Sequence, residues 1–330
     1  MTFRGDYFDR QYTDRLKGIA AMLIVVHHLY QHTALTTNWG VLSPIMQYFG
    51  YGLVAVFFFI SGYGITLSAS KKNDYIHGFL LHRVLPIFLL YCFLIILYLL
   101  TDWALSGILP TGWHLLQSFF IGKTIVSHGW FFQSILFFYL CFWLSWRVSQ
   151  RFRFIILAVA LGIYILVCVL CDTPISYYIS TPVFYLGCLF AAYKELVDLL
   201  CSRFLLTIGI VTFSLTVLFF IGRNLFSDLP SSILLGTLNI FFITSIVVFI
   251  MFIPIRGHIL DILATISLEI YYIQGVAFKL LRNEHWHLSS DILFITSGIL
   301  LTIVLAYCFR PITIRIMALP SIKRIGKRYK

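Results

Sequence analysis

Long uncharged runs decide what this chain can fold into. Ten stretches, 16–35, 44–69, 79–101, 128–147, 153–171, 176–194, 204–222, 231–253, 259–281 and 290–317, each hold about twenty or more mostly apolar residues. A helix crossing the hydrocarbon core of a bilayer needs about 20 of them. Only helices and closed barrels satisfy their backbone groups there. The runs are continuous and do not alternate, so helices are expected. The weakest stretch is 176–194, which contains Pro182 and several hydroxyls. The expected fold class is all-α: a polytopic membrane bundle of about ten transmembrane helices. Residues 1–330 form a single transmembrane domain, ending in a basic tail at 318–330. Composition leads the same way. Charged residues make up 11% of the chain, where soluble domains carry about 25%. The lipid bilayer is therefore the first partner.

The formal charge of +11 does not point to nucleic acid, because the basic residues lie between apolar runs and form no continuous patch. Counted by side across ten spans, 20 of the 24 Lys and Arg fall on the side of the termini. Lys123, Arg223, Lys279 and Arg282 are the exceptions. Cytoplasmic loops collect Lys and Arg, so both termini are expected in the cytoplasm. The opening "MTFRGDYFDRQYTDRLK" is too polar for a cleavable signal peptide. The 7 cysteines are odd in number and mostly inside apolar runs, which argues against a disulfide framework. Cys168 and Cys171 read as helix packing, and no metal site is expected. No N-x-[ST] sequon occurs, which fits a bacterial cytoplasmic membrane. The longest loop, 102–127, holds Trp103, Trp113 and His114 with Pro110 and Gly112 as breakers, and reads as interfacial or re-entrant. The sequence fixes no oligomeric state.

Ionisable groups inside spans are costly and default to functional roles. The first span carries two, in "KGIAAMLIVVHHLY", residues 17–30. From Lys17 to His28 is a rise of roughly 16 Å and almost three full turns. The two therefore share a face, with Lys17 at the cytoplasmic rim and His28 about mid-membrane. His27 points about 100° away. A neutral His28 can take a proton from a hydroxyl as a general base. Glu269, in "TISLEIYYIQG", needs a partner or a proton; it can orient His28, bind a substrate hydroxyl or sit in a helix contact. Gln274 offers an uncharged amide nearby. Arg83, with Lys71 and Lys72, can form an anion site. In "FFFISGYGI", residues 57–65, Ser61, Gly62 and Gly64 let helices approach closely, and packing is the plainer reading for Ser61.

These motifs, in this order, resemble those of acyltransferase family 3, integral-membrane O-acyltransferases that modify cell-surface sugars. The resemblance covers nearly the whole chain. It rests on Lys17 and His28 in "KGIAAMLIVVHH", on "VAVFFFISGYGI", on "LLHRVLPIF" with Arg83, and on "GWFFQSILFFYL" with Trp130. "YLGCLFAAY" and "ISLEIYYIQG", with Tyr271 and Gln274, complete it. The chain departs from the family pattern at three places: Leu80 stands where an arginine is usual, Ile135 for a glutamate and Gln274 for a histidine. The resemblance implies transfer of an acyl group, usually acetyl, from cytoplasmic acyl-coenzyme A to a sugar hydroxyl of a surface polysaccharide or its lipid-linked precursor. Acyl-CoA is then a co-substrate, and no tightly bound cofactor is expected. The expected catalytic residues are His28 and Glu269. Lys17, Arg83, Ser61, Trp130, Tyr271 and Gln274 are the expected substrate and acyl-CoA contacts. Direct attack and an acyl-enzyme both remain open. A saccharide transporter or flippase, or a non-catalytic partner in polysaccharide assembly, is the competing expectation.

Overall fold

The computed structural model describes residues 5, 7–33, 42–72, 74–225, 229–283 and 285–326. The helices are α1 (Arg10–Gln31), α2 (Leu42–Lys71), α3 (Leu85–Ser106), α4 (Gly112–Gln117), α5 (Trp130–Val148), α6 (Arg153–Leu170), α7 (Thr181–Ala192), α8 (Lys194–Leu225), α9 (Leu229–Phe252), α10 (His258–Thr265), α11 (Ser267–Leu281) and α12 (Asp291–Gly326). No strand is present among the described residues. Among the described residues, eight helices are long and apolar enough to cross a membrane, and nine if α10 and α11 count as one bent span. The protein is thus an all-α polytopic membrane bundle.

The expected first span is not among those nine. α1 carries the charges and imidazoles that lower its apolarity, and it has no need to face lipid all round. It is surrounded by α2, α10, α11 and α12, and buries Ile24, Val25, His27, His28 and Leu29 among them. Past Leu319, the side chains of the expected basic tail lie outside the described residues.

Two features set the frame around α1. The first is a close approach of α2 to α7. A Cβ on Gly187 would collide with the Phe59 carbonyl oxygen and lie 3.0 Å from the Phe59 carbonyl carbon. One on Gly62 would collide with the Phe184 carbonyl oxygen and lie 3.2 Å from the Cys188 nitrogen. The small-residue motifs "ISGYG" and "YLGC" therefore face each other, as small residues do where membrane helices touch backbone to backbone. Gly64 faces open space and takes no part.

The second is a break between α10 and α11, which are bent by 70°. Neither Pro nor Gly causes it; Ile266 leaves helical geometry at φ −119. α1 presses on this point, since a Cβ on Gly18 would lie 2.7 Å from the Ala264 nitrogen. One turn earlier, Arg15 grips Asp261 with two hydrogen bonds of 2.6 and 2.9 Å and the Ile255 carbonyl at 2.9 Å. The break frees α11 to run alongside α1 at its own angle.

The bundle has two ends. One is where α1 starts and α2 finishes; the other is where α1 finishes and α2 starts. The long loop after α3 belongs to the second end. Its short helix α4 starts at Thr111, whose hydroxyl caps His114. Beyond α4, one side chain organises the chain. The Gln133 amide nitrogen lies 2.7 Å from the Ser118 carbonyl, 3.0 Å from that of Phe120, 2.7 Å from that of Lys123 and 3.1 Å from the Tyr91 hydroxyl. Backbone carbonyls inside a membrane protein need donors, and this amide supplies them to a segment without regular structure. The Ser118 carbonyl also accepts from the Tyr91 hydroxyl at 2.7 Å, so Gln133→Ala is expected to leave the Phe120 and Lys123 carbonyls without this donor, at about 1–3 kcal/mol. Limited proteolysis will then cut within 118–128 first; wild-type resistance there would refute this role.

Candidate active site

His27 and His28 end on different faces of α1. The His27 ring points at α2. Its Nδ1 donates to the Met46 carbonyl at 2.6 Å, and the ring occupies space that Gly50 leaves open, where a Cβ would lie 2.6 Å from His27 Cδ2. His27 is thus a packing and hydrogen-bonding residue between α1 and α2.

The His28 ring points at α11. Its Nδ1 lies 3.0 Å from Gln274 Oε1. The Gln274 amide nitrogen donates to the Tyr271 carbonyl at 2.7 Å, which fixes which end of the amide is the acceptor. Gln274 Oε1 must therefore accept, and His28 Nδ1 must carry the proton. That leaves the lone pair on His28 Nε2. A neutral imidazole with its lone pair in a set direction is the form a general base requires.

A second ring fixes the plane. His128, from the loop before α5, stacks on His28 with centroids 3.4 Å apart and planes 8° from parallel. His128 is left-handed, at φ 58. Its carbonyl accepts from the Tyr271 hydroxyl at 3.1 Å. Tyr271 thus holds both partners of His28: the amide through its carbonyl and the stacked ring through its phenol. A Cβ on Gly275 would lie 2.6 Å from Ser127 Cβ, so the absence of a side chain there lets the loop sit against α11.

α1 finishes at Gln31, one turn beyond His28, so His28 lies toward the second end of that helix. Lys17 is roughly 16 Å away along α1. It forms an ion pair with Asp14 at 2.6 Å, one turn further from His28.

Glu269 lies on another side of α11. It is five residues from Gln274, about 140° around the helix, and its carboxyl meets the Thr313 hydroxyl of α12 within reach of the Arg310 charge. It occupies the first turn of α11, where a carboxylate complements the helix dipole. A helix contact accounts for it. Trp130 opens α5 between the rings of Phe58 and Tyr177, at 6.3 and 6.4 Å. Ser61 meets the Tyr139 hydroxyl, well below His28.

Arg83 lies at the first end, in a short π-helical turn, Leu80–Val84, that leads into α3. Its Nε donates to the Tyr75 hydroxyl at 3.1 Å. With Lys72, Asp74, Tyr75 and His82 it lines a cavity of about 510 Å³. A second cavity, of about 590 Å³, is lined by Lys71, Trp146, Arg153, Tyr193, Lys194 and Glu195. Neither lining includes a residue of the His28 group. The rings of Phe57 and Phe131 pack against Tyr271, at 6.0 and 5.1 Å.

Sequence reasoning selected His28, Gln274 and Tyr271, which the structure brings together. It missed His128. The visible signal was "SHGW", a histidine and glycine directly before an apolar helix. Among the described residues, no group of three or more His, Cys, Asp or Glu is placed to hold a metal ion. Neither a curated protein nor a solved structure matches the chain. The model of the acyltransferase domain family does, from residue 10 to residue 310. That match runs from the first residue of α1 through His28, Arg83, His128 and Gln274 into α12, and with it the chain belongs to the acyltransferase domain family, acyltransferase family 3.

Proposed function

We propose that this membrane acyltransferase moves a short acyl group, acetyl in the first instance, from acyl-coenzyme A to a hydroxyl of a surface polysaccharide or its lipid-linked precursor. The observation that carries the reading is the His28 ring, whose Nδ1 is committed to Gln274 and whose Nε2 is left to accept a proton. In the proposed reaction His28 Nε2 takes the proton of the acceptor hydroxyl. The oxygen attacks the thioester carbonyl, the carbon–sulfur bond breaks, and the leaving thiolate takes the proton back from the imidazolium. We read the transfer as direct, because among the described residues the hydrogen-bond partner of His28 is an amide, not a serine or cysteine.

The two cavities at the first end support a cytoplasmic donor. Both carry cations beside aromatic rings, which suits the phosphates and adenine of a coenzyme A. In this reading the first end faces the cytoplasm of a bacterium, in accord with the skewed Lys and Arg. The thioester arm then reaches toward His28. The acceptor approaches from the second end, where α1 finishes one turn beyond His28.

Charge reversal at the donor cavity tests this directly. In proteoliposomes, with labelled acetyl-CoA and an isolated acceptor glycan, Arg83→Glu is expected to raise the KM for acetyl-CoA about tenfold or more, the loss of a charge-assisted contact. kcat is expected to change little. An unchanged KM in both Arg83→Glu and Arg153→Glu would remove the donor assignment. No acetyl transfer to any glycan by wild-type protein, with saccharide uptake in its place, would favour a transporter.

A further inference from the structure

We infer that His128 is a positioning residue for His28, one that fixes the plane of the catalytic ring; this rests on the reading of His28 as the base.

The bond from Gln274 restrains one atom of the His28 ring, Nδ1. By itself that bond permits the ring to swing about it and carry Nε2 out of line. A parallel ring at 3.4 Å blocks any tilt toward that face, since it would drive one ring into the other.

The backbone around His128 is built to hold this ring in place. His128 adopts a left-handed conformation, which is uncommon outside glycine and which histidine tolerates better than most residues. The turn that follows is tight: a Cβ on Gly129 would lie 2.6 Å from Thr124 Oγ1 and 2.8 Å from Val126 Cβ. Thr124 in turn hydrogen-bonds the Tyr91 hydroxyl at 3.0 Å, beside the Gln133 amide. The His128 carbonyl is held by Tyr271, on the same helix as Gln274. Both restraints on His28 are thereby referred to α11, and their relative position is fixed.

Three substitutions separate a ring-plane role from space filling. His128→Gly suits the left-handed backbone and removes the ring. His128→Leu and His128→Phe share the same backbone cost and differ in having a flat aromatic face. The expected result is a fall in kcat of about 10²-fold for Gly and Leu, the scale of a misaligned reacting group, with the KM for acyl-CoA within about twofold. Phe is expected to recover most of the loss. Wild-type kcat in His128→Gly, or equal kcat in Leu and Phe, would overturn the inference. His28→Ala runs alongside as the reference. If it is inactive while His128→Gly is unimpaired, only the role of His128 falls. If His28→Ala keeps full activity, the assignment of His28 falls and takes this inference with it. The double variant His28→Ala, His128→Gly should lose nothing beyond His28→Ala; a further loss would mark His128 as structural.

Discussion

Replacing His28 with alanine is expected to lower acyl transfer by about 10²–10⁴-fold, the usual contribution of a general base. His27→Ala is expected to keep activity within about tenfold. The contrast follows from where each ring points. His27 Nδ1 is bound to a backbone carbonyl and its ring fills the hollow over Gly50, so its loss leaves a cavity between α1 and α2. His28 Nδ1 is bound to an amide that is itself held, so its loss removes the lone pair that this bond leaves on Nε2. The measurement is acyl transfer by equal amounts of folded protein in bilayers. Melting should fall for His27→Ala by more than for His28→Ala, the reverse of the order in activity. Equal activity in the two variants would end the assignment of His28.

The largest effect on folding is expected at Gly187. A valine there must displace the Phe59 carbonyl, a backbone group in the middle of α2. Overpacking of side chains costs about 1–3 kcal/mol. Here the obstruction is backbone, and α2 cannot yield without separating from α7. Gly187→Val should therefore exceed the upper end of that range, and Gly62→Val should match it, because each occupies the same interface from opposite sides. Gly64→Val should be near neutral, as open space surrounds it. Thermal melting in detergent or nanodiscs ranks the three. A Gly187→Val protein as stable as Gly64→Val would show that the helices do not touch as described.

Most of the bundle was legible in the sequence because span length and apolarity are local properties. The small residues of "ISGYG" and "YLGC" were legible as packing surfaces, but not as each other's partners, since nothing local joins residue 62 to residue 187. The separation of His27 from His28 was legible because helical rotation is fixed at about 100° per residue. The point where α1 finishes, at Gln31, was not. The break at Ile266 was equally hidden, for it has no Pro or Gly, and the approach of Gly18 from another helix joins residues far apart in sequence. His128 was the most hidden of all. Its role depends on a left-handed residue in a loop, and on a stack with His28 and a bond from Tyr271, both far from it in sequence.

The manner in which that loop is held has a consequence for a protein in an energised membrane. A potential of 100 mV acts on each charge that crosses it with about 2.3 kcal/mol. Gln133 grips the loop with an amide, Tyr271 with a phenol, and Gln274 holds His28 with a second amide. None of these groups carries a charge on which a field can pull. Two of the charges at this end are closed into neutral pairs, Lys279 with Asp102 and Arg282 with Asp291. The contacts that aim the neutral His28 ring therefore offer a membrane potential no charge of their own to act on.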